Sequence, residues 1–314
     1  MAKPLVIISS RSFSTGKLDL DKILKDSGCE TRKISTTHEI SEISSDLKDA
    51  VAWIAGVAPI TTEMLDLAPN LRIISRYGVG VDSVDLGAAK KHGVLVANTP
   101  GANSNSVAEL ALSLMFSAIR NLSESNANVR SNNWKAIRGK EINGMVIGVV
   151  GYGKIGRLVA NKLSLLGAKV LVYDPYVSDP AIVDLSFINK TAELVTLHSP
   201  GDEQIITNKW INDAPKGQII INTARANLVD ESALVDGLRS GKIGFFAADS
   251  ISSEVTGSAS PLLDNDLIDK TLFTPHIGGQ TNDAIDLMGS MAVENVLAVL
   301  AGKPLRNQIL KQLL

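Results

Sequence analysis

The stretch VIGVVGYGKIGRLVANKLSLLGAKVLVYDPY, Val146 to Tyr176, constrains the fold more than any other part of the chain. A β-branched run is followed by glycines at 151, 153 and 156, a helical run, and a second apolar run ending in Asp174. That pattern predicts strand, tight turn, helix and a second, parallel strand. The first glycine permits the turn, the second lets a pyrophosphate approach the backbone, and the third lets the helix pack on the strand. The helix start then offers unpaired N–H groups and a positive dipole end to phosphate. Asp174 follows at about the spacing where a carboxylate accepts bonds from ribose hydroxyls. Pro175 and Tyr176 come next, with no arginine beside them to take a 2′-phosphate, so NAD is expected rather than NADP. The competing reading is a glycine turn in an α/β domain that binds no nucleotide.

This unit starts almost halfway along the chain, and the residues before it carry a pattern of their own. The runs LVIIS (5–9), AVAWIA (50–55), LRIIS (71–75) and VLVAN (94–98) alternate with helical patterns, giving four β/α alternations and a first parallel-sheet domain over residues 1–98. NTPGANSNS then makes a turn-rich crossing, and VAELALSLMFSAIRNL predicts a long helix over 107–122. After the glycine-rich unit, LVTLH, QIIINTA, IGFFAAD and LFTP continue a second series, and a helix is expected over about 281–301.

Composition narrows the function classes. Of 314 residues, 45% are hydrophobic and 20% charged, the balance of a globular chain with room for two domains. The net charge of −2 and the lack of a lysine or arginine run speak against nucleic acid and against an anionic membrane surface. No apolar run is long enough to span a bilayer, and the N-terminus reads as a buried strand rather than a signal peptide. One cysteine, Cys29, cannot pair within the chain, and no Cys/His spacing suggests a metal site. The cytoplasm is the expected location.

Candidates for chemistry gather after the glycine-rich unit. Arg225 follows the run IIINTA, Asp249 ends FFAAD with Glu254 five residues on, and His276 follows LFTP. The ends of parallel strands are the edge where such sheets bind ligands. Arginine, histidine and glutamate suit hydride exchange with a 2-keto or 2-hydroxy acid. A guanidinium grips a carboxylate bidentately, an imidazole exchanges a proton near neutrality, and a carboxylate behind it raises the ring's pKa and fixes its tautomer. Taken singly, each also fits a surface ion pair, a turn residue or an exposed loop acid. His198, at a strand end, competes with His276. His92 reads as a helix C-terminal cap, and His38 lies in a polar stretch with no evident partner.

The blocks SRYGVGVDSVDL, NTPGANSNSVAEL, GVVGYGKIG, NTARANLVDESAL and TPHIGG, in this order, resemble the D-isomer-specific 2-hydroxyacid dehydrogenases over nearly the whole chain, with most similarity to the 3-phosphoglycerate-dehydrogenase-like branch. The resemblance implies an α/β protein of two Rossmann-like or flavodoxin-like lobes with parallel sheets, the NAD-binding domain (99–284) inserted into a substrate-binding domain (1–98 plus 285–314). It implies His276 as acid/base backed by Glu254, and Arg225 on the substrate. Val79 and Gly80 would hold the substrate carboxylate. Lys154, Ile155, Ser199, Thr223, Ala224, Asp249, Gly278 and Gly279 would join Gly151, Gly153, Gly156 and Asp174 near the dinucleotide. Substrate would enter a cleft that closes by a hinge, and the long helix after NTPG would form a homodimer.

Three departures from the family pattern stand out. Ala226 and Val255 replace the usual glycine and proline. The stretch from Asp174 to His198 and SPGDEQIIT are short, which points to loss of a helix flanking the adenine pocket. GVAPIT offers no cation for a phosphate, leaving Arg76 as the nearby candidate, so a plain or differently charged acid is as compatible as a phosphorylated one. No regulatory domain is expected after the closing lobe. The expected function is NAD-dependent interconversion of a small 2-hydroxy acid and its 2-keto acid. The alternative is an NAD(H)-sensing, corepressor-like binding module on the same scaffold.

Overall fold

The computed structural model describes residues 3–179, 181–201 and 203–309, except for the side chain of Val255. The expected end of the first lobe, 310–314, lies outside the described residues. The chain divides into two compact units, Met1–Asn103 with Gly279–Leu314, and Ser104–Gly278.

The first unit is built on a five-stranded, all-parallel sheet in the order β2-β1-β3-β4-β5. Four strands arise at the four apolar runs: β1 (Leu5–Ile8), β3 (Ala50–Ala55), β4 (Ile73–Arg76) and β5 (Leu95–Ala97). The fifth, β2 (Glu30–Lys33), corrects the four-strand expectation. Its sequence ETRK has no apolar alternation, because β2 is an edge strand paired only with β1 and its side chains are largely exposed. Helices α1 (Leu20–Asp26), α2 (Ile40–Asp49), α3 (Thr62–Asp66) and α4 (Leu86–Lys91) connect the strands.

Alternate residues of the central strands enter opposite layers. Leu5, Ile7, Trp53, Ile74 and Val96 pack with Ile43, Leu47, Met64 and Leu65 of α2 and α3. Val6, Ile8, Ala52, Ile54 and Ile73 pack with Leu20 and Leu24 of α1 and with Met288, Ala292, Val293 and Val296. Each fully buried aliphatic side chain of this kind contributes roughly 1.5–3 kcal/mol. The last four residues belong to the returning helix, the twelfth in chain order (Asn282–Leu300). It is tied to the sheet by bonds from Tyr77 Oη to the Ile285 carbonyl (3.0 Å) and from Ser75 Oγ to the Ala292 carbonyl (3.1 Å).

The second unit carries a six-stranded parallel sheet ordered β11-β10-β9-β8-β6-β7. Its strands are β6 (Val146–Val150), β7 (Lys169–Tyr173), β8 (Leu194–Leu197), β9 (Gln218–Asn222), β10 (Ile243–Ala248) and β11 (Thr271–Phe273), each at its expected run. The order reverses beside β6, with β7 on one flank and β8 on the other, which makes the C-terminal end of β6 the switch point where such sheets bind ligands.

Helix α5 (Ser104–Ile119) starts earlier than expected, and Asn121, left-handed at φ 50°, ends it before α6 (Leu122–Arg130). Then follow α7 (Lys154–Leu165), α8 (Leu185–Thr191), α9 (Asn208–Asp213), α10 (Glu231–Arg239) and α11 (Ser252–Thr256), with the returning helix as α12. The expected loss of a helix in the short stretch after Asp174 is corrected. The seven-residue α8 fits between β7 and β8, and its Ile188 is fully buried where Gly148 of β6 leaves room. Among the described residues no helix is long and apolar enough to cross a membrane.

Candidate active site

Strand β6 ends at Gly151, which turns at φ 96°; a Cβ there would lie 2.6 Å from the His198 carbonyl carbon and the Ser199 nitrogen. A Cβ on Gly156 would overlap the Gly151 carbonyl oxygen, so this glycine sets the close packing of α7 on the turn. Gly153 differs from both. It is exposed at the N-cap of α7, and a Cβ on it would meet nothing within 4 Å. Neither packing nor backbone angle requires a glycine there, and the open space over the helix start suits an approaching phosphate. Asp174, just beyond β7, accepts from the Tyr152 N–H (2.8 Å) and the Tyr176 N–H (2.9 Å), so its carboxylate braces the turn. Each oxygen keeps acceptor capacity for a ribose hydroxyl.

Across the switch point the loops after β8 and β9 carry Ser199, Thr223 and Ala224. The hydroxyls of Ser199 and Thr223 are buried and have no hydrogen-bond partner. Unpaired buried hydroxyls are costly unless something else meets them. Together with the open helix start at Lys154 and Ile155, they fit a dinucleotide laid along this edge.

The loops after β9, β10 and β11 bring the three charged candidates close enough to interact. Nδ1 of His276 lies 2.6 Å from Oε1 of Glu254, and Ser250 Oγ donates to the other Glu254 oxygen at 2.7 Å. Burial opposes ionisation of Glu254, but the bonds from His276 and Ser250, helped by the charge of Arg225, outweigh it and hold the carboxyl below its ordinary range. The same contact raises the His276 pKa above that of a free imidazole, against partial burial and the Arg225 charge. With Nδ1–H turned to Glu254, Nε2 is the nitrogen left to give or take a proton. Arg225 is shaped locally. Its Nη1 donates to the Ala224 carbonyl (3.0 Å), while Asn222 accepts from the Ala224 N–H and donates to the Arg225 carbonyl (2.7 Å).

Asp249 is buried, and its carboxylate accepts from the Thr274 hydroxyl, the Ile277 N–H (2.8 Å) and the Gly278 N–H (2.7 Å). Its carbonyl accepts from the His276 N–H (3.0 Å). The residue expected beside the dinucleotide is thus the clamp of the histidine loop. That clamp holds His276 at φ 53°, a left-handed conformation unusual for histidine.

The other histidines separate from His276. Burial pushes His198 down to about 3, so its ring is neutral at ordinary pH, with Nε2 2.9 Å from Thr196 Oγ1. His92 caps α4, with Nδ1 on the Ala88 carbonyl and Nε2 2.8 Å from Asp66. His38, expected to lack a partner, is buried between the Pro59 carbonyl (2.8 Å) and Ser9 Oγ (2.7 Å). A polar neighbourhood in sequence did not reveal that burial. No group of three or more His, Cys, Asp or Glu among the described residues is placed to hold a metal ion.

Residues 112–278 match the family model described as "D-isomer specific 2-hydroxyacid dehydrogenase, NAD binding domain". The chain belongs to the D-isomer-specific 2-hydroxyacid dehydrogenase family. The domain that this model describes binds NAD, the cofactor that the fingerprint predicts. The chain is 34% identical over 305 residues to a D-3-phosphoglycerate dehydrogenase of Methanocaldococcus jannaschii, covering 93% of this chain but 57% of that one. It is 35% identical over 256 residues to a hydroxypyruvate reductase of Thermotoga maritima, covering 78% of this chain and 83% of that one. Among solved structures, the D-lactate dehydrogenase of Aquifex aeolicus, complexed with NAD and lactic acid, superposes with a TM-score of 0.84 at 26% identity over 97% of this chain and 98% of that one.

The first unit of this family member carries the remaining candidates. Beyond β4, neither the N–H of Val79 nor that of Gly80 donates to a partner among the described residues, and Asn98 holds the Val79 carbonyl at 2.8 Å. Two such donors suit a carboxylate. Gly279 opens the returning segment beside Asn103. Arg76, the candidate for a substrate phosphate, is held from inside the first unit. Its side chain is buried, and Nη1 donates to the carbonyls of Ala55 (3.2 Å) and Tyr77 (2.6 Å), bracing the ends of β3 and β4.

Proposed function

We propose that the protein is an NAD-dependent oxidoreductase that interconverts a small 2-hydroxy acid and its 2-keto acid. The observation that carries this reading is the His276–Glu254 contact at the C-terminal edge of the second unit's sheet, on the side where the glycine-rich turn opens. The relatives named as phosphoglycerate dehydrogenase, hydroxypyruvate reductase and lactate dehydrogenase support the class of reaction, and their different substrates leave the acid's side group open.

When bound, the nicotinamide supplies or accepts the hydride. Gly151, Gly153, Lys154, Ile155 and Gly156 would take the pyrophosphate, Asp174 the ribose, and Ser199, Thr223, Ala224 and Gly278 the rest of the dinucleotide. The residues of the chain handle charge and protons. Arg225 grips the carboxylate and polarises the neighbouring carbonyl. Protonated His276 gives its Nε2 proton to the forming hydroxyl, and Glu254 stabilises the imidazolium before transfer and holds the tautomer afterwards. In the oxidative direction His276 takes the proton back.

We also infer a homodimer in the cytoplasm. Phe116 and Leu122 on the expected dimer helix are exposed apolar side chains, and Val129 and Trp134, the latter 77% exposed, follow beyond it. A second copy would cover them. The testing experiment is NADH oxidation with a panel of plain, sulfonated and phosphorylated 2-keto acids. Turnover with one class supports the reading, and tight NADH binding with no turnover on any overturns it.

A further inference from the structure

In the segment that carries Glu254, Ile251 packs against the core of the second unit ahead of the glutamate. The segment reads SISSEVTGSAS from Ser250 to Ser260, mostly small polar residues, and its one helix, α11, is five residues long and ends at left-handed Gly257. Yet Glu254 must present one oxygen to His276 within hydrogen-bond distance. Polar bonds to a carboxylate on a different element hold the rest of the segment. Glu231 sits in the first turn of α10, whose apolar face (Leu234, Val235, Leu238) is buried in the core of the second unit. Its Oε1 accepts from the Ser252 N–H at 2.7 Å, and its Oε2 accepts from Ser252 Oγ at 2.6 Å and from Ser260 Oγ. Ser253 Oγ in turn accepts from the Ser260 N–H at 2.8 Å, which closes the loop on itself.

Glu231 is not needed to cap its own helix. Asp230 is the N-cap, and its carboxylate accepts from the Ala233 N–H at 3.0 Å. The Glu231 oxygens instead grip the Glu254 segment on both sides, two residues before the catalytic carboxylate and six after it. With the segment so held, Ser250 Oγ reaches the second oxygen of Glu254 and leaves the first for the imidazole.

We propose that Glu231 is a positioning residue for the Glu254–His276 pair, anchoring the Ser252–Ser260 loop to α10 so that one Glu254 oxygen faces His276 and the other faces Ser250. The proposal rests on the reading of that pair as the proton-exchange group. Its function is orientational: Glu231 touches neither ring nor substrate, and a small displacement of Glu254 is enough to weaken the pair.

The test is an NMR titration of the His276 ring in ¹⁵N-histidine-labelled protein, without substrate, alongside steady-state kinetics of wild type, Glu231→Ala and Glu231→Gln. His276→Gln identifies the resonance. Glu231→Ala is expected to lower the His276 pKa by roughly one unit. It should cut kcat by about tenfold to a hundredfold, with KM for NADH within about twofold. Glu231→Gln keeps a carbonyl acceptor for the Ser252 N–H and is expected to restore much of both. Should Glu231→Ala fail to fold, the double variant Ser252→Ala/Ser260→Ala removes the two hydroxyl arms and should lower the ring pKa in the same direction. Thermal stability that falls while the ring titration stays at its wild-type position would make Glu231 a structural residue only and overturn the proposal. Absence of wild-type turnover would strike at the functional reading, while the titration, which needs no substrate, would still decide the role of Glu231.

Discussion

His276 and Glu254 are in hydrogen-bond contact at 2.6 Å although they come from loops after different strands, and the histidine holds this position with its backbone in the left-handed region. The contact sets both charge states: the carboxylate is favoured as an anion and the imidazole as a cation. It therefore predicts how activity depends on pH.

Reduction of a keto acid needs His276 protonated. Because Glu254 raises the ring's pKa, kcat/KM for reduction should persist above the ordinary histidine value of about 6.5 and then fall as pH rises through the raised pKa. Glu254→Gln removes the negative charge, so the fall should move to lower pH. A pH–rate profile of the two proteins checks this, and an unmoved limb would mean that another group sets it.

His276→Ala should remove most turnover, by about a hundredfold or more, while the Kd for NADH, read by fluorescence, stays within a few-fold. Equal loss of both would make the residue structural. Arg225→Lys should lower kcat/KM for the keto acid with NADH affinity intact, because the planar fork that grips a carboxylate is gone.

Gly153 and Gly156 should respond in opposite ways. Gly153→Ala meets open space and should cost no more than about 1 kcal/mol, from the poorer N-cap, yet weaken NADH binding. Gly156→Ala drives a methyl group into the Gly151 carbonyl and should cost about 1–3 kcal/mol of stability from overpacking. Urea unfolding and NADH titration of the two variants separate the effects, and a Gly153→Ala enzyme with unchanged NADH affinity would remove that glycine from the phosphate site.

Asp249→Asn turns an amide group toward backbone N–H donors that now point at a carboxylate. It should cost about 1–3 kcal/mol and reduce kcat, since the strained histidine loop loses its clamp. Chemical denaturation and kinetics of the variant check this. Stability and rate both at wild-type level would rule the clamp out.

Burial lowers the pKa of His38, so its neutral ring is the form that the fold accepts. A depressed histidine pKa means that the unfolded chain binds the extra proton first. The contribution of His38 is therefore fully present above its unfolded pKa of about 6.5 and is lost as pH falls below it. The stability gap between wild type and His38→Asn should narrow from pH 8 to pH 5.5 in urea unfolding. A gap independent of pH would contradict the assignment.

What the sequence revealed follows from what each residue's neighbours demand. Strands buried on both faces, such as Val146–Val150 and Gln218–Asn222, carry apolar runs, VIGVV and the III between Gln218 and Asn222, and they are readable. Glu30–Lys33 is bonded on one side only and bathes its side chains in water, so nothing in its composition marks it as a strand. Arg225 and His276 stand inside recognisable blocks and Glu254 in a loop between them, and the structure brings Glu254 and His276 into contact with the Arg225 charge close by. The backbone bonds of Arg76 were not legible, because an arginine after an apolar strand reads alike whether it faces solvent or folds back onto backbone carbonyls. The bonds of Glu231 to Ser252 and Ser260 were not legible either, since those partners lie 21 and 29 residues along the chain.

The return of the chain at Gly279 has a consequence for biosynthesis. The sheet of the first unit is covered on one face by α12, whose Met288, Ala292, Val293 and Val296 complete its core. While a ribosome translates the intervening residues, the part of that face not covered by α1 stays bare for on the order of ten seconds at typical elongation rates. The central unit, whose core is contributed by Ser104–Gly278 alone, can fold in the meantime. The N-terminal strands are thus made first and protected last, which makes them the stretch most in need of a chaperone during synthesis.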